Sequence, residues 1–332
     1  MMSFPDNATK VLMGCALLLA ACSDANDTSV VGSAGAGAQG TGGLGAMGGG
    51  ASGLGGGFAG LGGGTGDPGD GCLIYIIDHG GRIWSFDPLT LQFKELGTAS
   101  CGFDVGPMNL AIARDGTAYV SEDYSLADPP PNTTMWTISL KDAACTPTSY
   151  VTGQLNQRIF GLAFVSDGPD ATTETLYASA GTCAYGMGCS NGTNLAKVAL
   201  PSFQLSLVGD LTSGLTRAIL TGTGAGHLFG VFCQNGSCIN GQSALFAEID
   251  KETAGTPSSI ALPDVIHQGN MAPPTAFWGG DFWFFQQDGS VVRYKYATDK
   301  TFETVVPANG WMGGGLLMAA GVSTCAPLEP PR

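Results

Sequence analysis

Cysteine is the residue type in this 332-residue chain that offers the most possibilities for chemistry, and it occurs ten times. Eight of them follow residue 71, namely Cys72, Cys101, Cys145, Cys183, Cys189, Cys233, Cys238 and Cys325. So many cysteines are unusual in a cytosolic chain unless they bind metal, whereas exported chains use them as disulfides. No Cys-x-x-Cys pair occurs, and the three histidines lie away from the cysteine pairs. The pattern therefore predicts disulfides and no zinc site.

Other catalytic signals are sparse. No H-E-x-x-H, Walker or EF-hand pattern occurs, so the sequence favours a protein that is not an enzyme. The sequence does not exclude a pair of carboxylates for glycoside hydrolysis, because spacing in sequence says little about distances across a repeat fold. The net charge of −14, with only 13 basic residues, argues against a nucleic-acid partner.

The elements that must position these residues begin after a glycine-rich stretch. Residues 31–71 contain 21 of the 53 glycines, with no period of three and a single proline. Such a stretch buries too little apolar surface to offset its backbone entropy. We predict a disordered tether over residues 22–71 and a folded domain over residues 72–332.

The tether follows a short apolar segment. Residues 11–21 carry no charge and are too few to span a bilayer, but they suit the core of a signal peptide. They end in Leu19-Ala20-Ala21-Cys22, which resembles the lipobox of bacterial lipoproteins. The resemblance implies a signal peptide over residues 1–21, acylation of Cys22, and anchoring in the bacterial cell envelope, at the outer membrane. The alternative is an ordinary secretory signal with a coincidental cysteine.

The folded domain consists of short apolar or alternating runs separated by Gly, Pro, Asp and Asn, with no helical period, which predicts an all-β fold. The runs repeat in units of four strands. The second unit has runs at 108–113, 117–121 and 135–140 and a last strand near 149–151. Equivalent third strands begin at five positions, near Ile83, Met135, Leu195, Leu245 and Val291.

The two ends of the domain are incomplete units that complement each other. The domain starts at 73–78 with what looks like a second strand, and it finishes at 316–322 with a lone first strand. Joining them closes a ring and hides the sheet edges that a linear array would expose. We therefore predict a β-propeller of five four-stranded blades.

Ring closure also narrows the cysteine pairing. Cys72 and Cys325 flank the two chain ends that the ring brings together. Cys183 and Cys189 share one loop, as do Cys233 and Cys238, which leaves Cys101 for Cys145. A bridge between the chain ends would close the longest loop and give the largest entropic stabilisation.

Two motifs resemble known propeller repeats. Residues 109–120, which include Arg114-Asp115-Gly116, resemble the signature of NHL and gluconolactonase-like propellers. Residues 84–88, Trp-Ser-Phe-Asp-Pro, look like a hairpin of quinoprotein-like and kelch-like repeats. The resemblance implies the architecture and specifies no single family, and propellers host many functions.

In a propeller, loops between second and third strands share one face with the connections into each blade. The longest insertions, 122–134, 181–194 and 233–243, fall on that face. Loops on a rigid scaffold are where function concentrates. The polar residues expected there near the axis are His79, Asn109, Asp123, Arg158, Arg217, Gln286 and Asp288. Each also has a structural interpretation, as a turn residue or an ion-pair partner.

Two functions fit this organisation. The first is a monomeric binding module that captures a protein, a glycan or a small ligand on its loop-rich face and needs no cofactor. The second is a metal-dependent hydrolase or lactonase of the gluconolactonase-like kind, in which carboxylates such as Asp123 and Asp288 would hold calcium.

Overall fold

The computed structural model describes residues 72–103, 106–124, 132–184, 188–212, 214–234, 244–266, 272–311 and 313–330. The predicted leader, 1–21, and the predicted tether, 22–71, lie outside these residues. This part of the chain consists of β-strands, connections and one turn of 3-10 helix, Gln154–Asn156. No helix within it is long and apolar enough to cross a bilayer.

Five antiparallel sheets of four strands each form the domain. Blade 1 takes its three outer strands from the start of the domain, β1 (Ile74–Asp78), β2 (Arg82–Asp87) and β3 (Gln92–Thr98). Blade 2 is β4 (Asn109–Ile112), β5 (Thr117–Tyr124), β6 (Asn132–Ser139) and β7 (Cys145–Pro147). Blade 3 is β8 (Arg158–Ser166), β9 (Glu174–Ala184), β10 (Gly188–Ala199) and β11 (Gln204–Asp210).

The remaining strands complete the set. Blade 4 is β12 (Leu215–Gly222), β13 (Leu228–Gln234), β14 (Leu245–Ile249) and β15 (Ser259–Ala261). Blade 5 is β16 (Thr275–Trp278), β17 (Asp281–Phe285), β18 (Val291–Tyr294) and β19 (Phe302–Val306). The last strand, β20 (Leu317–Val322), returns to blade 1 as its innermost strand.

The innermost strands form a closed ring. In order, β20 contacts β4, β4 contacts β8, β8 contacts β12, β12 contacts β16, and β16 contacts β20. Within blade 1, β20 pairs antiparallel with β1, so that Ile74 lies opposite Val322. The prediction of an all-β, five-bladed propeller closed by the two chain ends is therefore confirmed.

The blades pack face to face, and this explains why several strands are apolar on both sides. In β1, Ile74 and Ile76 belong to the core shared with blade 5, whereas Tyr75 and Ile77 belong to the core shared with blade 2. Successive side chains of a strand point to opposite faces, so a strand between two blades buries all of them. Five such apolar clusters lie between neighbouring blades.

Glycine allows the inner strands to approach closely near the axis. A Cβ on Gly222 of β12 would lie 2.0 Å from the carbonyl oxygen of Phe164 in β8. A Cβ on Gly161 of β8 would lie 2.2 Å from the carbonyl oxygen of Ala218 in β12. Both distances are far below van der Waals contact, so these positions require glycine for steric reasons alone.

Two disulfides lie where the ring predicts them. Cys72 pairs with Cys325, with Cα atoms 5.4 Å apart, and Cys101 pairs with Cys145, with Cα atoms 5.2 Å apart. Cys233 is also disulfide-bonded, and its expected partner, Cys238, lies outside the described residues. The structure does not describe the side chains of Cys183 and Cys189, so their pairing stays a prediction.

Two local expectations are wrong. The outer strand of blade 2 is Cys145–Pro147 and not 149–151; the next residue, Thr148, donates both its backbone N–H, at 3.1 Å, and its hydroxyl, at 2.9 Å, to the Met135 carbonyl. The 181–194 insertion is largely strand, since β9 and β10 continue their ladder, with Thr193 opposite Gly181. Strand pairing extends beyond the apolar residues there, because backbone hydrogen bonds do not require apolar side chains.

Candidate functional site

The face on which the inner strands begin also carries the connections between second and third strands; we call it the upper face. The turn between β1 and β2 places His79 there, and the turn between β17 and β18 places Asp288 there. Trp311 and Gly314–Leu316, which precede β20, line the same cleft as these two turns. Because β1 and β17 belong to adjoining blades, the three segments enclose one cleft.

The upper cleft lies between blades 5 and 1 and has a volume of about 570 Å³. Small-molecule sites are typically clefts of about 300–1,000 Å³. His79 and Arg82 contribute side chains from blade 1, whereas Asp288, Asn309 and Trp311 contribute from blade 5. The cleft therefore combines hydrogen-bond donors, acceptors and one large aromatic side chain.

An ion pair between the buried Asp78 and the partly exposed Arg82 fixes the blade 1 wall. Asp78 is fully buried, and its Oδ1 accepts hydrogen bonds from the backbone N–H groups of Gly80 at 2.9 Å and Arg82 at 3.0 Å. Its Oδ2 accepts from Arg82 Nε at 2.7 Å. The Arg82 guanidinium also donates to the carbonyl of Gly313. These bonds hold the His79 turn in one conformation and tie it to the segment before β20.

A turn at the end of β17 forms the blade 5 wall. Asp288 Oδ1 accepts from the Ser290 backbone N–H at 2.9 Å and from the Ser290 hydroxyl at 2.7 Å. The Asp288 carbonyl accepts from the backbone N–H of Asn309 at 2.8 Å. Gly289 has φ +81°, and a Cβ there would lie 3.2 Å from Trp311 Cβ, so glycine lets the turn pack against the backbone of Trp311.

Trp311 lies at the base of this wall and is only 6% exposed. Its ring meets that of Trp84 edge to face, with centroids 5.6 Å apart. Its indole N–H is buried and has no hydrogen-bond acceptor among the described residues. A buried donor is costly unless it is paired, and an internal water is the usual partner at such a position.

A second polar feature of the upper face lies between blades 3 and 4. Arg158 and Arg217 both lie over the ring of Phe160, at 5.6 and 5.9 Å from its centroid. A β-bulge interrupts the pairing beside each arginine, and Arg217 has φ +52°. Burial, and secondarily the charge of Arg158, lowers the pKa of the Arg217 guanidinium. The bulges thus bring two cations together on a predominantly acidic protein.

The other predicted residues differ in what they contact. Asn109 is buried and donates to the Ser121 hydroxyl at 2.7 Å. Gln286 is buried and donates to the Ser290 hydroxyl at 2.6 Å. The side chain of Asp123 lies outside the described residues. Of the seven predicted residues, the structure therefore brings His79 and Asp288 to the upper cleft. It brings Arg158 and Arg217 to the aromatic ring of Phe160.

Sequence reasoning missed Arg82, Asn309 and Trp311, which complete the upper cleft. Arg82 begins a strand and gives no loop signal. The other two lie in an irregular glycine-rich segment without a period. The available signal was Trp311 itself, an aromatic residue that only Met312 separates from three consecutive glycines, Gly313–Gly315.

One motif in the sequence matches a known nucleophile pattern by its letters only. Residues 188–192 read Gly-Cys-Ser-Asn-Gly, the G-x-S-x-G pattern of α/β-hydrolases. The structure places them at the start of β10, in an antiparallel hairpin. That pattern presents a serine only at a sharp turn from strand to helix, so the context for a nucleophile is absent at this position.

The residues that the structure describes contain no group of three His, Cys, Asp or Glu side chains that could hold a metal ion. Asp288 takes part in the hydrogen-bonded turn described above, and it is exposed. The calcium site that the lactonase alternative would need includes Asp123, whose side chain is outside the described residues. That alternative stays a prediction.

Comparisons with known proteins identify no family. No family model matches the chain, and no curated protein matches it. A crystal structure of a protein of unknown function from Dyadobacter fermentans DSM 18053 is similar, with 10% sequence identity and a TM-score of 0.44, over 69% of this chain and 73% of that one. The architecture therefore rests on the five sheets themselves.

Proposed function

We propose that this chain is a glycan-binding module that captures a neutral sugar unit in the upper cleft. The propeller fold suits a binding module because it presents loops from several blades on a rigid frame. The single observation that carries the proposal is the open polar cleft, in which the exposed Asp288 and Asn309 of blade 5 lie opposite His79 of blade 1.

The chemistry of the lining favours hydroxyl groups. A sugar hydroxyl both donates and accepts hydrogen bonds, so it can donate to the Asp288 carboxylate and accept from the Asn309 amide. The His79 imidazole can take either role. Few other ligands supply donors and acceptors in such close succession, and an anion would meet the Asp288 carboxylate.

The lining supports capture better than hydrolysis. Asp288 is the only carboxylate among the described residues that line the cleft. Glycoside hydrolysis requires two carboxyl groups on opposite sides of the scissile bond. The Asp78 carboxyl lies beneath the cleft but is fully buried and bonded to Arg82.

The module would work outside the cytoplasm at the end of a lipid-anchored tether. Disulfides persist in oxidising compartments, and the Cys72–Cys325 and Cys101–Cys145 pairs support such a location. The lipobox-like segment ending at Cys22 supports acylation and an outer-membrane anchor. A Cys22→Ala variant should lose incorporation of an alkyne-labelled fatty acid and leave the membrane fraction; unchanged labelling would overturn the anchor.

The binding function would be tested by probing a glycan array with the protein that lacks the predicted signal peptide, residues 1–21. Calorimetry would then measure the affinity for the ligands that the array identifies. Asp288→Asn should weaken binding of the best array ligand about tenfold to a hundredfold, as expected for losing a hydrogen bond to a charged group.

Asp299→Asn is the matched control. Asp299 accepts from the Thr301 backbone N–H at 3.0 Å and from the Thr301 hydroxyl at 2.6 Å, so it forms the same type of turn as Asp288, outside the cleft. The Asp299→Asn variant should bind the array ligand with the affinity of the wild type. Absence of any glycan binding, or equal affinities for the Asp288→Asn and Asp299→Asn variants, would overturn the proposal.

A further inference from the structure

We infer that the opposite face holds a second site, a pocket between blades 4 and 5 that binds a small organic cation with an aromatic or aliphatic body. This lower pocket has a volume of about 220 Å³. It opens where the inner strands β12 and β16 end, so it is on the other side of the ring from the upper cleft. The inference is independent of the proposed glycan function.

Aromatic rings form the walls of the lower pocket. Phe229 and Phe277 are buried, and Tyr296 is partly buried between blade 5 and solvent. The rings of Phe229 and Tyr296 meet edge to face, with centroids 5.8 Å apart. Aromatic faces carry partial negative charge and attract ammonium groups within about 6 Å of the ring centroid.

A carboxylate stands at the rim of the pocket. Glu248 Oε1 lies 2.6 Å from His227 Nδ1, and the two side chains are 44% and 54% exposed. The hydrogen bond orients the carboxylate while leaving it accessible. Burial raises the pKa of the Tyr296 phenol, and the negative charge of Glu248 raises it further. The charge of Glu248 is therefore felt at the aromatic wall.

The pocket wall already attracts a cation of the chain itself. Lys300 Nζ lies 4.8 Å from the centroid of the Tyr296 ring. This contact shows that the ring accepts an ammonium, and it also places a positive charge beside the site. A cationic ligand must therefore gain enough from Glu248 and the rings to offset repulsion by Lys300.

A disulfide-anchored segment closes one side of the pocket. Leu328 lines it, and the preceding Pro327 carbonyl accepts from the Gly279 N–H at 2.7 Å. Gly280 has φ +83°, and a Cβ there would lie 3.1 Å from the Leu328 carbonyl oxygen, so glycine leaves room for this segment. The bond from Cys325 to Cys72 fixes the start of the segment. The wall is thus preorganised, which lowers the entropic cost of binding.

Charge complementarity selects a cation over other occupants. Residues 72–332 carry a net charge of −10, and the accessible acid at the pocket rim is Glu248. Three aromatic walls with a carboxylate at the edge resemble the arrangement that recognises ammonium ligands. An anion would meet both the Glu248 carboxylate and the ring faces, so it should bind most weakly.

Three ligands of one shape but different charge test the inference. Titrations followed by NMR would use phenethylamine, 2-phenylethanol and 3-phenylpropionate. The amine should bind roughly tenfold more tightly than the alcohol, as expected for a partly desolvated ammonium on aromatic rings, and the carboxylate should bind least. Equal affinity for amine and alcohol, or no binding of the amine, would overturn the inference.

Variants locate the site. Glu248→Gln keeps the side-chain shape and should abolish the preference for the amine. Lys300→Gln should raise amine affinity, and this expectation holds even if the Glu248 variant fails to fold. Glu303→Gln is the matched control, because Glu303 is half exposed and paired with Lys295 at 2.8 Å elsewhere on blade 5. A preference that survives in Glu248→Gln, or that is lost equally in Glu303→Gln, would refute the lower pocket as the site.

Discussion

Replacing Gly222 with alanine tests how closely neighbouring blades approach at the axis. The new Cβ would lie 2.0 Å from the Phe164 carbonyl oxygen and 2.7 Å from Val165 Cγ2. The nearest obstacle is backbone, which cannot rotate away as a flexible side chain could. The strands β8 and β12 would therefore have to separate by more than an ångström.

The expected cost follows from this overlap. Adding a carbon to a well-packed core costs about 1–3 kcal/mol, and a clash against backbone belongs at the upper end, near 3 kcal/mol. For a domain of this size, such a loss lowers the melting temperature by roughly 6–12 °C. It would also consume a large share of a typical folding free energy of about 5–15 kcal/mol.

Urea unfolding monitored by tryptophan fluorescence would measure the change. Gly168→Ala is the control, because the nearest atom to a Cβ there is Ala171 Cβ at 4.0 Å. That variant should be neutral or stabilised by up to about 1 kcal/mol, since alanine restricts the unfolded chain. If the Gly222→Ala and Gly168→Ala variants unfold at the same urea concentration, the result would contradict the close approach of β8 and β12.

Three further outcomes follow from the structure. Replacing Cys72 and Cys325 together by serine removes a link across 253 residues and should cost up to about 5 kcal/mol of unfolding free energy in urea titrations; an unchanged midpoint would contradict its role in closure. Asp78→Asn leaves Arg82 without its buried counter-ion and should cost about 2 kcal/mol by the same assay, whereas full stability would contradict the ion pair. Burial raises the pKa of the Tyr177 phenol from 10.0 to about 12, so the unfolded state ionises first and stability should fall between about pH 10 and 12. Urea midpoints that do not decline over that interval would contradict this burial effect.

The sequence predicts the ring because its two ends lack partners of their own. The run 73–78 has no first strand before it, and the run 316–322 has no second strand after it. Cys72 and Cys325 flank these runs, which supports the same closure. Pairing of β1 with β20 and the Cys72–Cys325 bond follow directly from that complementarity.

The upper cleft could not be derived in the same way. Trp311 and Asn309 reach it from an irregular segment, and Arg82 reaches it from another blade more than 200 residues away in sequence. Their convergence depends on how blade 5 packs against blade 1, and the spacing of residues within one blade carries no information about that packing.

Asn109 shows a different reason for the gap between sequence and site. Its position at the start of an inner strand is as the repeat predicts, but its side chain bonds to Ser121 on the next strand. The Asp115-Gly116 turn sets the register of this hairpin and places the two residues opposite each other. A polar residue in the sequence indicates where a ligand could bind. Only the structure shows whether a neighbouring strand already supplies the hydrogen-bond partner of that residue.

Crystals soaked in the best ligand from the glycan array would test the central claim most directly. Sugar density should lie in the cleft between blades 5 and 1, with hydroxyl oxygens within hydrogen-bond distance of the Asn309 amide and the Asp288 carboxylate. Sugar bound at another position, with the upper cleft empty at saturating ligand, would contradict the account.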